Sequence, residues 1–454
     1  MRGNDRRKAF TIVELIIVIA VIAILAAVLI PTFAGILKKA NLSADMQLAK
    51  HMTKTLQTAS QFETPDDVID VSAMLVEEGI DKDAVSQPTI EEHKFYWHSK
   101  HNVIVMILEK EGEEPVLVYP EDNEQLKTDL SSDMAAGILF NLLDGYEYTV
   151  KKVSTTDGLK AAMADKTKIV LTANIELTDS VQCVDNITVI LDLKGHTLSS
   201  ANIAIESKTG AVLTVKNGST DGVRLNALDS GSLNLKKVNA KNTYWCNIEN
   251  NGGIIAVEDS TVYSTESAIY NNAGTLTLSN TKIDAALIGI VNAGTVTVNN
   301  STVASYMTEA PEAVAILNEG GSVAVTYSEL KSPSGCLINR KGTVDIIGSS
   351  LVSTGVCILN KETLTISGST VTSKSGCICN LEGGNAEIIK GTYACNTDAA
   401  VLENADGASL RLKGGVQIFT KSSTPIIGEI SGNDTDYSIA YILDKVYISD
   451  EYNS

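Results

Sequence analysis

Hydrophobic and polar residues follow three successive patterns along this chain of 454 residues. The first is an apolar run from Leu15 to Leu37 that contains no charged residue. Its 23 residues are enough for a helix that crosses about 30 Å of hydrocarbon. The preceding basic residues are Arg2, Arg6, Arg7 and Lys8. Because clustered basic residues stay on the cytoplasmic side, the pattern predicts a single membrane-spanning helix with a cytoplasmic amino terminus and an extracytoplasmic remainder.

The second pattern is helical spacing of apolar residues beyond the membrane segment. Leu42, Met46, Ala49 and Leu56 recur at intervals of three, four or seven residues, with polar residues between them. This spacing predicts that the first helix continues as an amphipathic stem to about Ser60.

Short alternating segments follow the stem. Residues 93–99, 103–109 and 115–119 have the spacing of β-strands, and residues 131–143 have the spacing of a helix. The order predicts a small α+β head that packs on the stem. Within it, Phe95 and Trp97 alternate on one face and are expected in the core of the head.

The third pattern is a repeat that fills most of the second half of the chain. A glycine, a small polar residue and two aliphatic residues separated by one position recur in steps of 20 to 27 residues. The glycines that open these units are Gly231, Gly253, Gly274, Gly294, Gly321, Gly342 and Gly384, and two further units have Glu362 and Ala408 in the glycine position. Three short strands in each unit of about 21 residues cannot form a sheet locally, so each strand must pair with its counterpart one unit away. The pattern predicts an all-β parallel β-helix of about eleven coils.

Asparagine marks a second position of the repeat, shortly before the glycine. The residues are Asn250, Asn271, Asn292, Asn318, Asn339, Asn360 and Asn380. In-register coils would stack these side chains as an amide ladder.

Cysteines occupy a third position of the repeat, three or four residues before the asparagine, where other units carry Ala or Gly. They are Cys246, Cys336, Cys357 and Cys377. A total of seven cysteines opposes a disulfide framework, so we expect an inward column of buried free thiols.

Composition narrows the functional classes. The net charge of −19 argues against nucleic acid as a partner, because such binding needs a basic surface. Only 5% of the residues are aromatic, which suits repetitive β-structure.

The segment that ends at Glu14, directly before the apolar run, resembles the processing site of type IV prepilins and type II secretion pseudopilins. The sequence Lys8-Ala9-Phe10-Thr11-Ile12-Val13-Glu14 has the basic leader, the Phe and the Glu four positions later that are typical of this family. The apolar helix then reaches a proline, Pro31, as it does in the family. The family usually has Gly before the cleavage site, where this chain has Ala9.

The resemblance to prepilins implies a role for Glu14, a charged residue at the start of an otherwise apolar helix. A prepilin peptidase would cut between Ala9 and Phe10, and the new amino group of Phe10 would be N-methylated. Glu14 of one subunit would pair with that amine on a neighbouring pilin or pseudopilin subunit, which would remove the cost of burying both charges. The implied partners are therefore the peptidase, other pilin subunits and, before assembly, the cytoplasmic membrane.

The repeat resembles right-handed β-helices of the pectate-lyase-like superfamily, a resemblance that specifies architecture and not chemistry. A helix that begins near Thr156 resembles the usual amino-terminal cap of such a domain. The resulting division of the chain is a cleaved leader at 1–9, a membrane or filament-core helix at 10–37, a pilin-like stem and head at 38–150, a capped β-helix at 151–425 and a carboxyl-terminal cap at 426–454.

Few carboxylates lie on the outward face of the repeat, where a catalytic site would need them. In register, only Asp345 and Glu387 are acidic among the residues that lie between the two aliphatic positions, and they are two coils apart. A glycosidase needs two carboxyl groups about 5–9.5 Å apart, so a solvated face is the preferred interpretation. His93, His98 and His101 lie on a predicted hairpin without ligand spacing, and we expect exposed histidines there, with no metal and no cofactor.

The function predicted from the sequence is a prepilin-like surface protein whose β-helix is a structural or adhesive, non-catalytic domain with a surface glycan or protein as its ligand. One alternative is a polysaccharide lyase or hydrolase displayed by the same anchor. The other is a single-pass membrane protein that never enters a filament.

Overall fold

The computed structural model describes residues 12–61, 64–86, 88–90, 92–243, 246–308, 310, 312–431 and 437–441. The chain divides into two compact units, one ending at Thr149 and the other beginning at Val150. The first unit holds a long apolar helix and an α+β segment, and the second is a parallel β-solenoid.

The first helix, α1, runs from Ile12 to Ala59, about 72 Å at 1.5 Å per residue. It is long and apolar enough to cross a membrane, and none of its most apolar stretch is buried by the protein. Its carboxyl-terminal part differs, because Ala49, Met52 and Leu56 are fully buried. The predicted stem is therefore the part of α1 that packs on the rest of the first unit.

The remainder of the first unit is a four-stranded antiparallel sheet with short helices. The helices are α2 (Val68–Glu77), α3 (Lys82–Ser86), α4 (Glu124–Ala135) and α5 (Leu142–Tyr146), and the strands are β1 (His93–His98), β2 (Val103–Leu108), β3 (Val116–Tyr119) and β4 (Leu139–Asn141). The strand order is β3-β2-β1-β4. Phe95 and Trp97 are buried, as expected, and share one apolar cluster with Met52, Leu56 and Ile104. The likeness of this unit to a pilin head stays a prediction.

Two expectations for this unit are wrong. The helix predicted over 131–143 ends at Ala135, and Leu139–Asn141 instead pairs with β1 as an edge strand. The chain turns between them at Gly137, whose φ of +66° suits glycine. The expectation of exposed hairpin histidines holds only for His101. His93 and His98 are buried, and His98 Nε2 lies 3.0 Å from an oxygen of Asp133 on α4.

The second unit begins with a strand and a short helix, α6 (Thr156–Ala162), whose first turn is capped by the Thr155 hydroxyl. Leu159 and Ala162 of α6 are buried in the same apolar cluster as the first coils. The solenoid strands, in chain order, are Thr149–Val153, Thr167–Leu171, Ile175–Glu176, Val181–Cys183, Thr188–Asp192, Thr197–Ser199, Ala204–Ser207, Val212–Asp221, Arg224–Leu228, Ser232–Asn242, Ile248–Glu258, Thr261–Ser264, Ile269–Ser279, Lys282–Ala285, Ile288–Asn292, Thr295–Asn299, Thr302–Ser305, Val314–Asn318, Ser322–Thr326, Glu329–Ser332, Gly335–Asn339, Thr343–Ile347, Ser350–Ser353, Ile358–Asn360, Thr363–Ser373, Ile378–Asn380, Asn385–Cys395, Leu402–Asn404, Ser409–Thr420, Ile426–Ile427 and Tyr437–Tyr441.

Each coil contributes to three parallel faces. We name them after one coil: the asparagine face contains Ile288–Asn292, the glycine face contains Thr295–Asn299, and the serine face contains Thr302–Ser305. Each of these strands pairs in parallel with its counterpart one coil later. The solenoid has about 13 turns rather than about eleven, because the coils before Gly231 lack the glycine and asparagine pattern on which the predicted number depends.

Glycine is required in several coils at the corner between the asparagine and glycine faces, because successive coils approach closely there. A Cβ atom on Gly274 would lie 2.1 Å from the carbonyl oxygen of Gly253, and one on Gly321 would lie 1.9 Å from that of Gly294. The backbone of one coil therefore occupies the space of a side chain in the next.

Part of the carboxyl-terminal segment extends the solenoid instead of only covering it. Ile426–Ile427 pairs in parallel with Leu402–Glu403, and Tyr437–Tyr441 pairs with Val416–Thr420. The rest of the predicted cap, residues 432–436 and 442–454, lies outside the described residues.

Candidate functional site

The predicted processing and assembly residues lie at the start of α1. Ala9 and Phe10 are outside the described residues. Glu14 is in the first turn of α1 and is exposed, and Pro31 lies inside the helix without ending it. The apolar side chains between them face outward along the whole segment. The arrangement suits a helix whose surroundings are lipid or other subunits.

The seven predicted ladder asparagines form one continuous buried column. Each Nδ2 donates to the Oδ1 of the asparagine one coil later, over 2.8 Å from Asn250 to Asn271, 2.7 Å from Asn271 to Asn292 and 2.8 Å from Asn292 to Asn318. The remaining links continue over 2.7 to 2.9 Å, from Asn318 through Asn339, Asn360 and Asn380 to Asn404. Because the links are side-chain hydrogen bonds between coils, the ladder holds adjacent turns in register.

A second ladder, which the sequence pattern did not predict, lies at the corner between the glycine and serine faces. Its buried hydroxyl residues are Ser260, Thr281, Ser301, Ser328, Ser349 and Ser369. Each hydroxyl donates to the carbonyl oxygen two residues earlier in its own coil, and each serine hydroxyl also accepts a backbone N–H from the previous coil. Ser328 Oγ, for example, donates to Thr326 over 2.8 Å and accepts the Ser301 N–H over 3.0 Å. The sequence does show a Ser or Thr after each of these corners. Ser and Thr are common in exposed turns, so their presence alone did not predict a buried ladder.

The cysteine column is inward and buried, with one correction. Cys336, Cys357 and Cys377 stand in the register of Ala268, Gly289 and Ala315 on the asparagine face. Cys246 is buried but lies one position earlier, because Asn247 donates its N–H to Ala268 and takes the column position. Burial raises the pKa of Cys336 and Cys377 well above the ordinary thiol value and the pKa of Cys246 to about 12. These thiols are protonated at neutral pH and are packing groups.

The two carboxylates considered as a catalytic pair, Asp345 and Glu387, lie on the glycine face two coils apart. Strand pairing places Thr365 between Asp345 and Glu387, as the sequence register predicted. Glu387 contacts the ammonium of Lys413 and lies 3.9 Å from the guanidinium of Arg411. The Lys413 hydrogen bond, opposed by partial burial, lowers the pKa of Glu387. A general acid for glycoside hydrolysis needs a raised pKa, so the shift is in the wrong direction for that role.

Comparison with known proteins bears on the amino-terminal segment. Residues 4–30 match the prokaryotic N-terminal methylation motif, which confirms the prepilin-like resemblance of this segment. No curated protein matches the chain. The methylation motif, the apolar helix and the β-solenoid together fit a pilin-like surface protein.

A solved structure also shows some similarity. The crystal structure of bacteriophage CBA120 tailspike protein 3 is 11% identical, and the match covers 74% of this chain and 71% of that protein with a TM-score of 0.24. Similarity at this level carries no argument. The solenoid assignment rests on the strand pairing described above.

Proposed function

We propose that this chain is a prepilin-like protein that displays its β-solenoid as a structural or adhesive domain of a type IV pilus or a type II secretion pseudopilus. The observation that carries the proposal is the methylation motif at residues 4–30, which runs directly into an exposed apolar helix. A helix of this kind has two chemically suitable surroundings, the hydrocarbon of a membrane and the core of a filament.

The proposed life cycle begins in the cytoplasmic membrane. The basic leader stays on the cytoplasmic side, so the head and the solenoid lie outside. A prepilin peptidase hydrolyses the peptide bond between Ala9 and Phe10, and a methyl donor replaces one hydrogen of the new amine. In the filament, Glu14 pairs with the methylated amine of a neighbouring subunit, and the charge that was costly in lipid becomes an assembly contact.

We propose further that the solenoid is not an enzyme. Support comes from the ion pairing of Glu387 with Lys413 and from Thr365, which separates Glu387 from Asp345. Long regular faces held by two buried ladders instead offer a rigid surface for recognition.

The test is mass spectrometry of the amino-terminal peptide of the protein purified from native membranes and from sheared surface filaments. The expected peptide begins at N-methylated Phe10. An Ala9→Gly variant is the matched control, because it restores the family's usual residue and should be processed at least as completely. Recovery of Met1 or Arg2 on assembled protein would contradict the processing step, and absence from filaments despite correct processing would favour a plain membrane anchor.

A further inference from the structure

A shallow polar groove lies on the corner between the glycine and serine faces. Its volume is about 390 Å³, near the lower end of small-molecule sites. The groove is lined by successive coils of the solenoid, from Asn300 to Thr370, and all of its lining residues belong to the second unit.

One exposed aromatic ring forms a wall of this groove. Tyr327 is 68% exposed, the highest value of any large hydrophobic residue in the described part of the solenoid. Its ring lies over Gly348 in the next coil, where an added Cβ would be 2.8 Å from Tyr327 Cε1. One side of the ring is therefore supported by backbone, and the rest is open to solvent.

Gly348 leaves room for the Tyr327 ring, and Gly368 leaves open space beside it. The corner position has a positive φ in consecutive coils, and most coils place a polar side chain there, as Asp259, Asn280 and Asn300 do. Tyr327, Gly348 and Gly368 interrupt this series. Nothing lies within 4 Å of the place where a Cβ of Gly368 would be.

The floor of the groove is rigid. Ser301, Ser328 and Ser349 line it, and their hydroxyls belong to the buried ladder at this corner. The Ser301 N–H donates to Ser328 Oγ over 3.0 Å, and the Ser328 N–H donates to Ser349 Oγ over 3.1 Å. A ligand would meet a surface that is already ordered, which lowers the entropic cost of binding.

The far wall is polar and nearly neutral. Thr302, Glu329, Ser350 and Thr370 stand side by side at the first outward position of successive serine-face strands. Among the residues that the structure describes, none forms a hydrogen bond with the hydroxyls of Thr302, Ser350 and Thr370. Glu329 forms an ion pair with Lys331 over 2.9 Å, so the wall offers donors and acceptors without a net charge.

We propose that this groove binds a neutral hexose-based oligosaccharide, with one pyranose ring stacked on Tyr327. The inference rests on the adhesive role proposed above and assigns it to a site. The C–H face of a pyranose is apolar and packs on an aromatic ring, while its equatorial hydroxyls need a row of donors and acceptors such as Thr302, Glu329 and Ser350. Anionic glycans and nucleic acids fit less well, because Lys331 is already neutralised and the chain carries a net charge of −19.

The test uses the full chain in detergent micelles on an array of immobilised neutral oligosaccharides, with sialylated and sulfated glycans on the same array, followed by titration of the best-bound sugar. Tyr327→Asn removes the ring but keeps a residue type that the corner accepts at Asn280 and Asn300. Gly368→Asn fills the groove in the same way. Both should weaken binding about tenfold, the order expected when a stacked ring or its access is lost.

Two variants are matched controls. Tyr327→Phe keeps the ring and should retain binding, and Ile254→Ala truncates another exposed apolar side chain outside the groove and should bind as the natural chain does. Circular dichroism confirms that each variant folds. If neutral sugars bind and Tyr327→Asn and Gly368→Asn leave the affinity unchanged, the groove is not the site although the adhesive role stands. Binding only to charged glycans, or to no glycan while processing and filament incorporation are normal, overturns this inference without affecting the anchoring proposal.

Discussion

At the residue scale, the solenoid depends on buried polar side chains whose partners are one coil away. Asn318 donates to Asn339 Oδ1 over 2.9 Å and to the Lys341 carbonyl over 2.8 Å, and accepts from Asn292. An isolated amide in an apolar interior is costly, whereas an uninterrupted column satisfies every member. Substitution of an asparagine in the middle of the ladder should therefore destabilise the fold most, because the asparagines of both adjacent coils lose a hydrogen bond.

We expect Asn318→Ala to lower the free energy of unfolding by about 1–3 kcal/mol, the cost of leaving buried amide groups without partners. Urea denaturation of the full chain, followed by circular dichroism, measures the shift. The matched control is Asn272→Ala, because Asn272 also bonds an asparagine one coil away, Asn251, but on the exposed surface. Its effect should stay within about 0.5 kcal/mol. If the two variants lower the free energy of unfolding equally, the buried ladder contributes no more to stability than the exposed hydrogen bond does.

Thiol reactivity gives a second prediction at this scale. Burial raises the pKa of Cys379 to about 11, and the neighbouring carboxylate of Glu403 adds to the effect. Because the thiolate is the reactive form, alkylation by iodoacetamide at pH 8 should be slow for the folded protein, with half-buried Cys379 the first to react. Glu403→Gln should speed labelling of Cys379, whereas Glu362→Gln should not. Peptide mass spectrometry reports the site, and rapid labelling of Cys336 or Cys377 would contradict the buried column.

At the element scale, the β1–β2 hairpin of the first unit carries a pH-dependent contact. Glu109 follows β2 and accepts a hydrogen bond from Lys94 over 2.6 Å as well as one from the Tyr96 hydroxyl. Burial alone would raise the pKa of Glu109, but the hydrogen bonds from Lys94 and Tyr96 outweigh it and lower the pKa below its ordinary value of 4.5. The ionised form is therefore the one that the fold stabilises.

The sign of this linkage fixes the prediction. A carboxyl group with a lowered folded-state pKa contributes stability above pH 4.5 and loses that contribution as the pH falls through the folded-state pKa. Glu109→Gln should therefore destabilise the hairpin at pH 7, and its effect should shrink as the pH falls below 4.5 and Glu109 becomes protonated. Hydrogen exchange of the β1 and β2 amides at pH 7 and at pH 3 measures the effect. A variant effect that is the same at the two pH values would refute the assigned ion pair.

The first helix carries the other element-scale prediction. A charged side chain in a membrane helix is costly, and the cost is lower near the helix end where Glu14 lies, so Glu14→Ala should leave membrane insertion unchanged or improve it. Incorporation into filaments should fall, since the neighbour's amine loses its partner. Thr32→Ala is the control in the same helix, because its hydroxyl donates to the Val28 carbonyl of that helix. Normal filament content with Glu14→Ala, measured by shearing and immunoblotting, would exclude the pilin mechanism.

At the scale of the whole molecule, the second unit is a self-contained stack. Its apolar residues form one continuous cluster from Val153 to Ile418, with α6 at one end and the strand Ile426–Ile427 packed near the other. In such a stack each coil is stabilised by its neighbours, so the terminal coils decide solubility.

We therefore expect an excised fragment of residues 150–454 to be soluble, monomeric and rich in β-structure by circular dichroism and light scattering. Removal of residues 426–454 should expose the open edges of the last coil and promote association. The intact fragment should not cleave polygalacturonate or other polysaccharides, with or without calcium. Cleavage that disappears with Asp345→Asn or Glu387→Gln would replace the structural role with an enzymatic one.

The pattern of apolar residues along the sequence was sufficient to predict the first helix. The repeat was sufficient to predict the parallel β-solenoid, the amide ladder and the position of Thr365 between Asp345 and Glu387. The solenoid residues repeat at nearly fixed intervals, and parallel stacking places residues that are one interval apart directly beside each other in adjacent coils. Periodicity could not predict the fate of features that repeat poorly or depend on distant partners. The first coils before Gly231 lack the pattern, Leu139–Asn141 became a strand because β1 offered an open edge, and His98 is buried because α4 brings Asp133 to it. The groove beside Tyr327 also needed the tertiary structure, since Gly348 makes room for the ring and Gly368 leaves the space beside it open only when their coils are stacked on that of Tyr327.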